Sequence, residues 1–75
     1  MNTSIDGQEM FENLYGHLPK AKFHLSWVPS DFVSNTIYGA ALSANDQTVT
    51  IAYVSGTTLR QMEVPFHNLL LVEYD

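Results

Sequence analysis

Lys20-Ala21-Lys22-Phe23-His24-Leu25-Ser26-Trp27 alternates polar and apolar side chains over all eight positions. In an extended chain successive side chains point to opposite faces, so Ala21, Phe23, Leu25 and Trp27 share one face while Lys20, Lys22, His24 and Ser26 share the other. The stretch therefore reads as a half-buried strand with Trp27 on its core side, where an aromatic ring contributes most. A strand of this kind needs partners. The residues that follow supply them: Pro29-Ser30-Asp31 breaks the run into a loop, and an extended segment resumes over Thr36 to Ser43. Gly39 lies inside that second strand, as at a sharp bend or a close approach of backbones. Ala44-Asn45-Asp46-Gln47 forms a turn, with Asn45 and Asp46 suited to left-handed backbone. Thr48 to Ser55 is a β-branched third strand carrying Val49, Ile51 and Tyr53 on one face. Ser55-Gly56 turns the chain into a fourth strand over Thr57 to Val64. Pro65-Phe66-His67-Asn68 connects that to a fifth, Leu69 to Tyr74.

Toward the N-terminus the period changes. Met10, Phe11, Leu14, Tyr15 and Leu18 recur at helical spacing. Asp6 can act as N-cap with Glu9 three positions on, Gly16 is suited to a left-handed cap, and Pro19 bars continuation. The spacing predicts one short helix over residues 7–15, with residues 1–5 as a frayed start. The expected fold is mainly β: a single domain over residues 1–75, with a short helix followed by a five-stranded, strongly bent antiparallel small barrel. A flat sheet of this size would leave two bare edges, which favours closure. Leu69 and Leu71 fall on one face of the last strand, Leu70 and Val72 on the other, so both faces are apolar. Either the helix or a neighbouring subunit must then cover the outer one.

Composition narrows the function classes. Seventy-five residues with no cysteine exclude disulfides and thiolate metal sites, leaving self-association as the expected reinforcement of a small core. The missing cysteines are compatible with a cytoplasmic location. Three Lys and Arg against eight Asp and Glu give a formal net charge of −5, which opposes a broad phosphate-tracking or membrane-binding surface. The first ten residues carry neither a basic nor an apolar leader region, so no signal peptide is expected. Leu69 to Val72 is too short to span a bilayer.

Catalytic and metal-binding patterns are not recognisable. Asp6, Glu9 and Glu12 lie along the helix start, where acids complement the helix dipole, and no second cluster of oxygen ligands follows. His17, His24 and His67 are too dispersed for the three or four ligands of a zinc site. No nucleophile elbow, phosphate loop or metalloprotease motif is present. Neither enzymatic activity nor a cofactor is expected. Phe66 stands between Pro65 and His67 outside any strand pattern. It reads equally as a plug under the last strand or as an exposed ligand contact.

The order of elements, one helix and then five bent strands, resembles the Sm and LSm proteins. Gly39, Leu42 and Asp46 leading into Val49, Ile51 and Tyr53 are similar to that family's first motif, with one residue of slippage. Pro65-Phe66-His67-Asn68 is similar in placement to the second motif of the bacterial Sm-like host factor and keeps its histidine. Thr50 replaces the family's asparagine, Thr48 replaces its base-stacking aromatic, and the Arg-Gly of eukaryotic and archaeal members is missing. The resemblance covers residues 6–74 and is that of a divergent member, of the kind small phage genomes encode. It implies a homo-oligomeric ring in which strand four of one subunit pairs with strand five of the next. Leu70 and Val72 would lie at that interface. It also implies binding of single-stranded RNA, or DNA, through the pore-facing loops, with Asn45, Thr48, Phe66, His67 and Asn68 as contacts. The acidic balance supports a second reading, an SH3-like or Sm-like module that binds another protein, as a phage modulator of a host factor or an acidic mimic of nucleic acid would.

Overall fold

The computed structural model describes residues 6–75, so the start expected over residues 1–5 lies outside the described residues. The order is α1 (Gly7–Tyr15), β1 (Ala21–Leu25), β2 (Thr36–Ala44), β3 (Thr48–Ser55), β4 (Thr58–Pro65), a 3-10 turn (Phe66–Asn68) and β5 (Leu69–Tyr74). The helix begins where Asp6, in extended backbone, accepts the N–H of Glu9 at 2.9 Å through its carboxylate. Its end differs from expectation, because Gly16 is right-handed with φ −62. The Lys20 ammonium binds the carbonyls just past the helix end, donating to Gly16 at 3.2 Å and Leu18 at 2.8 Å while lying 5.6 Å from the centre of the Phe11 ring.

The five strands form one antiparallel sheet in the order β4-β3-β2-β1-β5. The first strand thus pairs with the last, and no ladder joins β4 to β5 among the described residues. The closed barrel expected from the strand count is an open sheet. It is nonetheless curled. Four spacings of ~4.8 Å would hold the edges of a flat five-stranded sheet ~19 Å apart. The 3-10 turn between those edges advances only ~2 Å per residue, or ~8 Å from Pro65 to Leu69. The edges must therefore approach each other at that end.

Curling creates an inner and an outer face, and each has its own core. Ala21, Phe23, Leu25, Ile37, Val49, Ile51, Tyr53 and Val64 fill the inner one, with Phe32, Met62, Leu69 and Val72 packed around them. On the outer face Phe11 of α1 sits on Ala40 and Ala52, which pair directly across β2 and β3. Two alanines there let the helix come close. Tyr15, Leu18, Leu42, Val54 and Leu59 complete that contact. The helix start is held against the β3–β4 turn, with the Gly7 N–H donating to the Thr57 carbonyl at 2.6 Å. In that turn Gly56 takes φ 63 and is the only described residue with positive φ. A two-residue hairpin with positive φ at its first position alone is of type II′.

Two extra residues break the expected alternation. Ala41 faces Ile51 but Ser43 faces Thr50, so Leu42 is a bulge in β2. His24 faces Leu71 but Leu25 faces Leu69, so Leu70 is a bulge in β5. A bulged residue shifts every later side chain to the other face. Leu70 and Val72 therefore do not share a face: Val72 packs inward with Leu69, while Leu70 and Leu71 stay 65% and 54% exposed. α1 covers β2, β3 and β4 and leaves that side of β5 open. Trp27 also departs from expectation. β1 ends at Leu25, where backbone and side chain of Asn35 bond the Leu25 N–H and carbonyl, both at 2.8 Å, and Trp27 lies in the following bend, 37% exposed and in neither core.

Candidate functional site

Asn45 organises the β2–β3 turn. Its side-chain oxygen accepts the backbone N–H of Gln47 at 2.7 Å and of Thr48 at 2.8 Å, and the Thr48 hydroxyl at 3.4 Å. Its own N–H donates to the Thr48 carbonyl at 2.9 Å. This Asx geometry needs no left-handed residue, which is why neither Asn45 nor Asp46 has positive φ. The turn is tied in its place to the second loop. Thr48 pairs with Pro65 across β3 and β4, and the Phe66 N–H donates to the Gln47 carbonyl at 2.9 Å.

The two loops thereby wall one cleft of ≈ 550 Å³, lined by Asp46, Gln47, Thr48, Pro65, Phe66 and His67. Phe66 is 41% exposed and belongs to neither core, which decides against the plug reading. His67 is exposed beside it. The arrangement offers a flat apolar ring, an imidazole, a threonine hydroxyl and the Gln47 amide around a space open to solvent. It suits a planar group with hydrogen bonds along its edge.

The other expected contacts are used differently. Asn68 turns away toward the end of β1, where its side-chain oxygen accepts the Ser26 hydroxyl at 3.2 Å and its carbonyl accepts the Ser26 N–H at 2.8 Å. Asn45 shapes the cleft rather than lining it, because its oxygen is committed to the turn. Gln47 and Pro65 complete the lining. Nothing in the sequence marks the Gln47 carbonyl as the anchor for Phe66, since that bond spans two separate turns.

No lysine or arginine lines the cleft, and Asp46 does. Lys20 is engaged by the helix end, and Lys22 sits opposite Glu73 across β1 and β5. His24 bonds Glu73 on the same side of that pair at 2.7 Å. At the free edge of β5, Leu70, Leu71 and Tyr74 are all more than half exposed, whereas Val72 packs on the inner core. Tyr38 donates its hydroxyl to the Asp75 carboxylate. That bond, together with the charges of Asp75 and Glu12, raises the tyrosine pKa above its ordinary value. Among the described residues no three His, Asp or Glu side chains gather as a metal site requires, and no helix is long and apolar enough to cross a membrane. Comparison of the chain with family models, with curated proteins and with solved structures gives no match.

Proposed function

We propose that the chain is a divergent Sm-like subunit, non-catalytic and cytoplasmic, that assembles edge to edge into a homo-oligomeric ring and binds single-stranded RNA, or DNA, in the cleft between its two turns. The observation that carries this reading is the Phe66 N–H to Gln47 carbonyl bond at 2.9 Å, which brings the loops singled out by the resemblance around one cavity. Phe66 serves as the stacking platform for a base, and His67 and Gln47 as partners for its polar edge. The assembly half of the proposal is supported by the two free edges, β4 and β5, each with unpaired backbone groups on its outer side. The one-residue slippage in the motif also coincides with the bulge at Leu42.

Electrostatics limit the affinity. With no cation in the cleft, few counterions are released per subunit, and each phosphate neutralised contributes only ~0.7 to the slope of log affinity against log salt on a single strand. Binding of short poly(U) and poly(A), followed by fluorescence anisotropy at low salt, tests the reading: saturable binding with a shallow salt slope is expected. Absence of binding to either oligonucleotide overturns it in favour of the protein-binding module. That second reading is supported by the net charge of −5 and by Asp46 in the cleft lining.

A further inference from the structure

The β2–β3 ladder runs from Gly39, opposite Tyr53, to Ala44, while Ile37 and Tyr38 pair with β1. Before Gly39 the two strands part, and α1 and the β1–β2 loop close over the gap. The result is a cavity of ≈ 270 Å³ walled by the rings of Phe11, Phe32, Tyr38 and Tyr53, with Gln8 and Thr36 as its other polar groups. It lies toward the opposite end of β3 from the Phe66 cleft. Thr48 and Tyr53, which line one each, are separated by five residues of strand, or ~17 Å at ~3.4 Å per residue.

Tyr53 gives the cavity a chemical direction. The residue is 8% exposed and its ring lies 5.2 Å from that of Phe32, yet its hydroxyl has no hydrogen-bond partner among the described residues. No side-chain oxygen or nitrogen among those residues is both sealed from solvent and unpaired. The Tyr53 hydroxyl is therefore not sealed from solvent, and Tyr53 lines this cavity. A phenylalanine would bury the same ring without leaving a polar atom to be satisfied. No lysine or arginine lines the cavity. Of the charges near its walls, the Asp75 carboxylate holds the Tyr38 hydroxyl, and the Lys20 ammonium lies 5.6 Å from the centre of the Phe11 ring but is engaged by the Gly16 and Leu18 carbonyls.

We propose that this cavity binds a small planar aromatic molecule of one or two fused rings, neutral or cationic, whose polar edge hydrogen-bonds the Tyr53 hydroxyl. The volume falls just under the range of ~300–1,000 Å³ that holds drug-sized ligands, which sets the size limit. Aromatic walls stack on or edge against the ring, and a cationic group is favoured over the aromatic faces and near Asp75. An anionic group would find no lysine or arginine in the lining to offset its loss of hydration. This site is independent of oligonucleotide binding.

Titration of the isotope-labelled full chain with indole, tryptamine and indole-3-acetate, followed by amide NMR shifts, tests the assignment. Saturable shifts at Gln8, Thr36 and Tyr53 are expected with tryptamine and indole, and markedly weaker ones with the acetate. Tyr53→Phe should weaken tryptamine roughly fivefold to tenfold, the loss of one hydrogen bond. Thr36→Phe, which fills the cavity mouth from a half-buried position, should abolish binding while the amide spectrum remains that of a folded protein. No saturable shift in the wild type overturns the proposal. So does binding of indole-3-acetate as tight as that of tryptamine, or a folded Tyr53→Phe or Thr36→Phe variant that binds as the wild type does.

Discussion

Replacing Leu70 by glutamate tests the edge-to-edge assembly directly. Leu70 is 65% exposed at the β5 bulge, so the subunit itself loses little when it changes. Surface substitutions of this kind usually alter stability by no more than about 0.5 kcal/mol. In the proposed ring a neighbour would cover it. Full burial of a leucine is worth about 1.5–3 kcal/mol, so covering the open part of Leu70 contributes ~1–2 kcal/mol. A glutamate forfeits that and places a carboxylate without a partner in the contact, at a further cost of ~1–3 kcal/mol. The sum of ~2–5 kcal/mol weakens each contact by roughly 30-fold to several thousand-fold. Light scattering coupled to size exclusion should therefore give a multiple of 8.4 kDa for the wild type and 8.4 kDa for Leu70→Glu, with matching thermal melts at a concentration where both are monomeric. Val33→Glu, at a fully exposed loop position, should leave the wild-type mass unchanged. A wild type that already runs as a monomer at micromolar concentration refutes the assembly. A Leu70→Glu variant that keeps the full mass refutes the part given to β5.

Phe66→Ala should weaken oligonucleotide binding by ~1–3 kcal/mol without changing the assembled mass, and His67→Ala should do so more mildly; anisotropy titration measures both. Since Phe66 is half exposed, its removal should cost clearly less stability than Phe23→Ala, a core deletion worth about 3–5 kcal/mol, and paired thermal melts make that comparison. Gly39→Ala should destabilise by about 1–3 kcal/mol, because a Cβ there overlaps the Ala52 carbonyl oxygen; the melting temperature reads the loss. The raised pKa of Tyr38 means that the folded chain holds this proton more tightly than the unfolded one. Its contribution is present below the ordinary tyrosine pKa of ~10 and fades as pH rises through the higher folded value. An ultraviolet titration should lose a tyrosine that ionises above the ordinary value in Tyr38→Phe.

Local pattern carried the elements further than their arrangement. The helix over Gly7–Tyr15, the strands Thr48–Ser55 and Leu69–Tyr74 and the close approach at Gly39 follow from periodicity, caps and a missing side chain, all properties of neighbouring residues. The order of strands does not, because Ala21 meets Tyr74 from more than fifty residues away. The bulges at Leu42 and Leu70 leave no local mark either, since Leu69 to Val72 is uniformly apolar and any of the four could have been the extra residue. The alternation that points Trp27 toward the core outlasts its strand by two residues, where Asn35 and Asn68 take the backbone N–H groups of Leu25 and Ser26. For the site, Phe66, His67 and Thr48 were legible as loop residues with suitable chemistry. Asn45 and Asn68 commit their side-chain oxygens to the turn and to Ser26, which residue type and loop position alone do not reveal.

The pairing of β1 with β5 has a kinetic consequence. β1 borders β2 on one side as soon as that hairpin forms, but its other side stays bare until the chain has reached Leu69–Tyr74. Closing that last ladder means joining segments some fifty residues apart, and folds dominated by such distant pairings reach the native state in milliseconds to seconds rather than microseconds. Throughout that interval the apolar row Ala21, Phe23 and Leu25 lacks the cover of Leu69 and Val72, beside an edge able to recruit any extended strand. β1 is therefore the strand whose cover depends most on a partner distant in the chain.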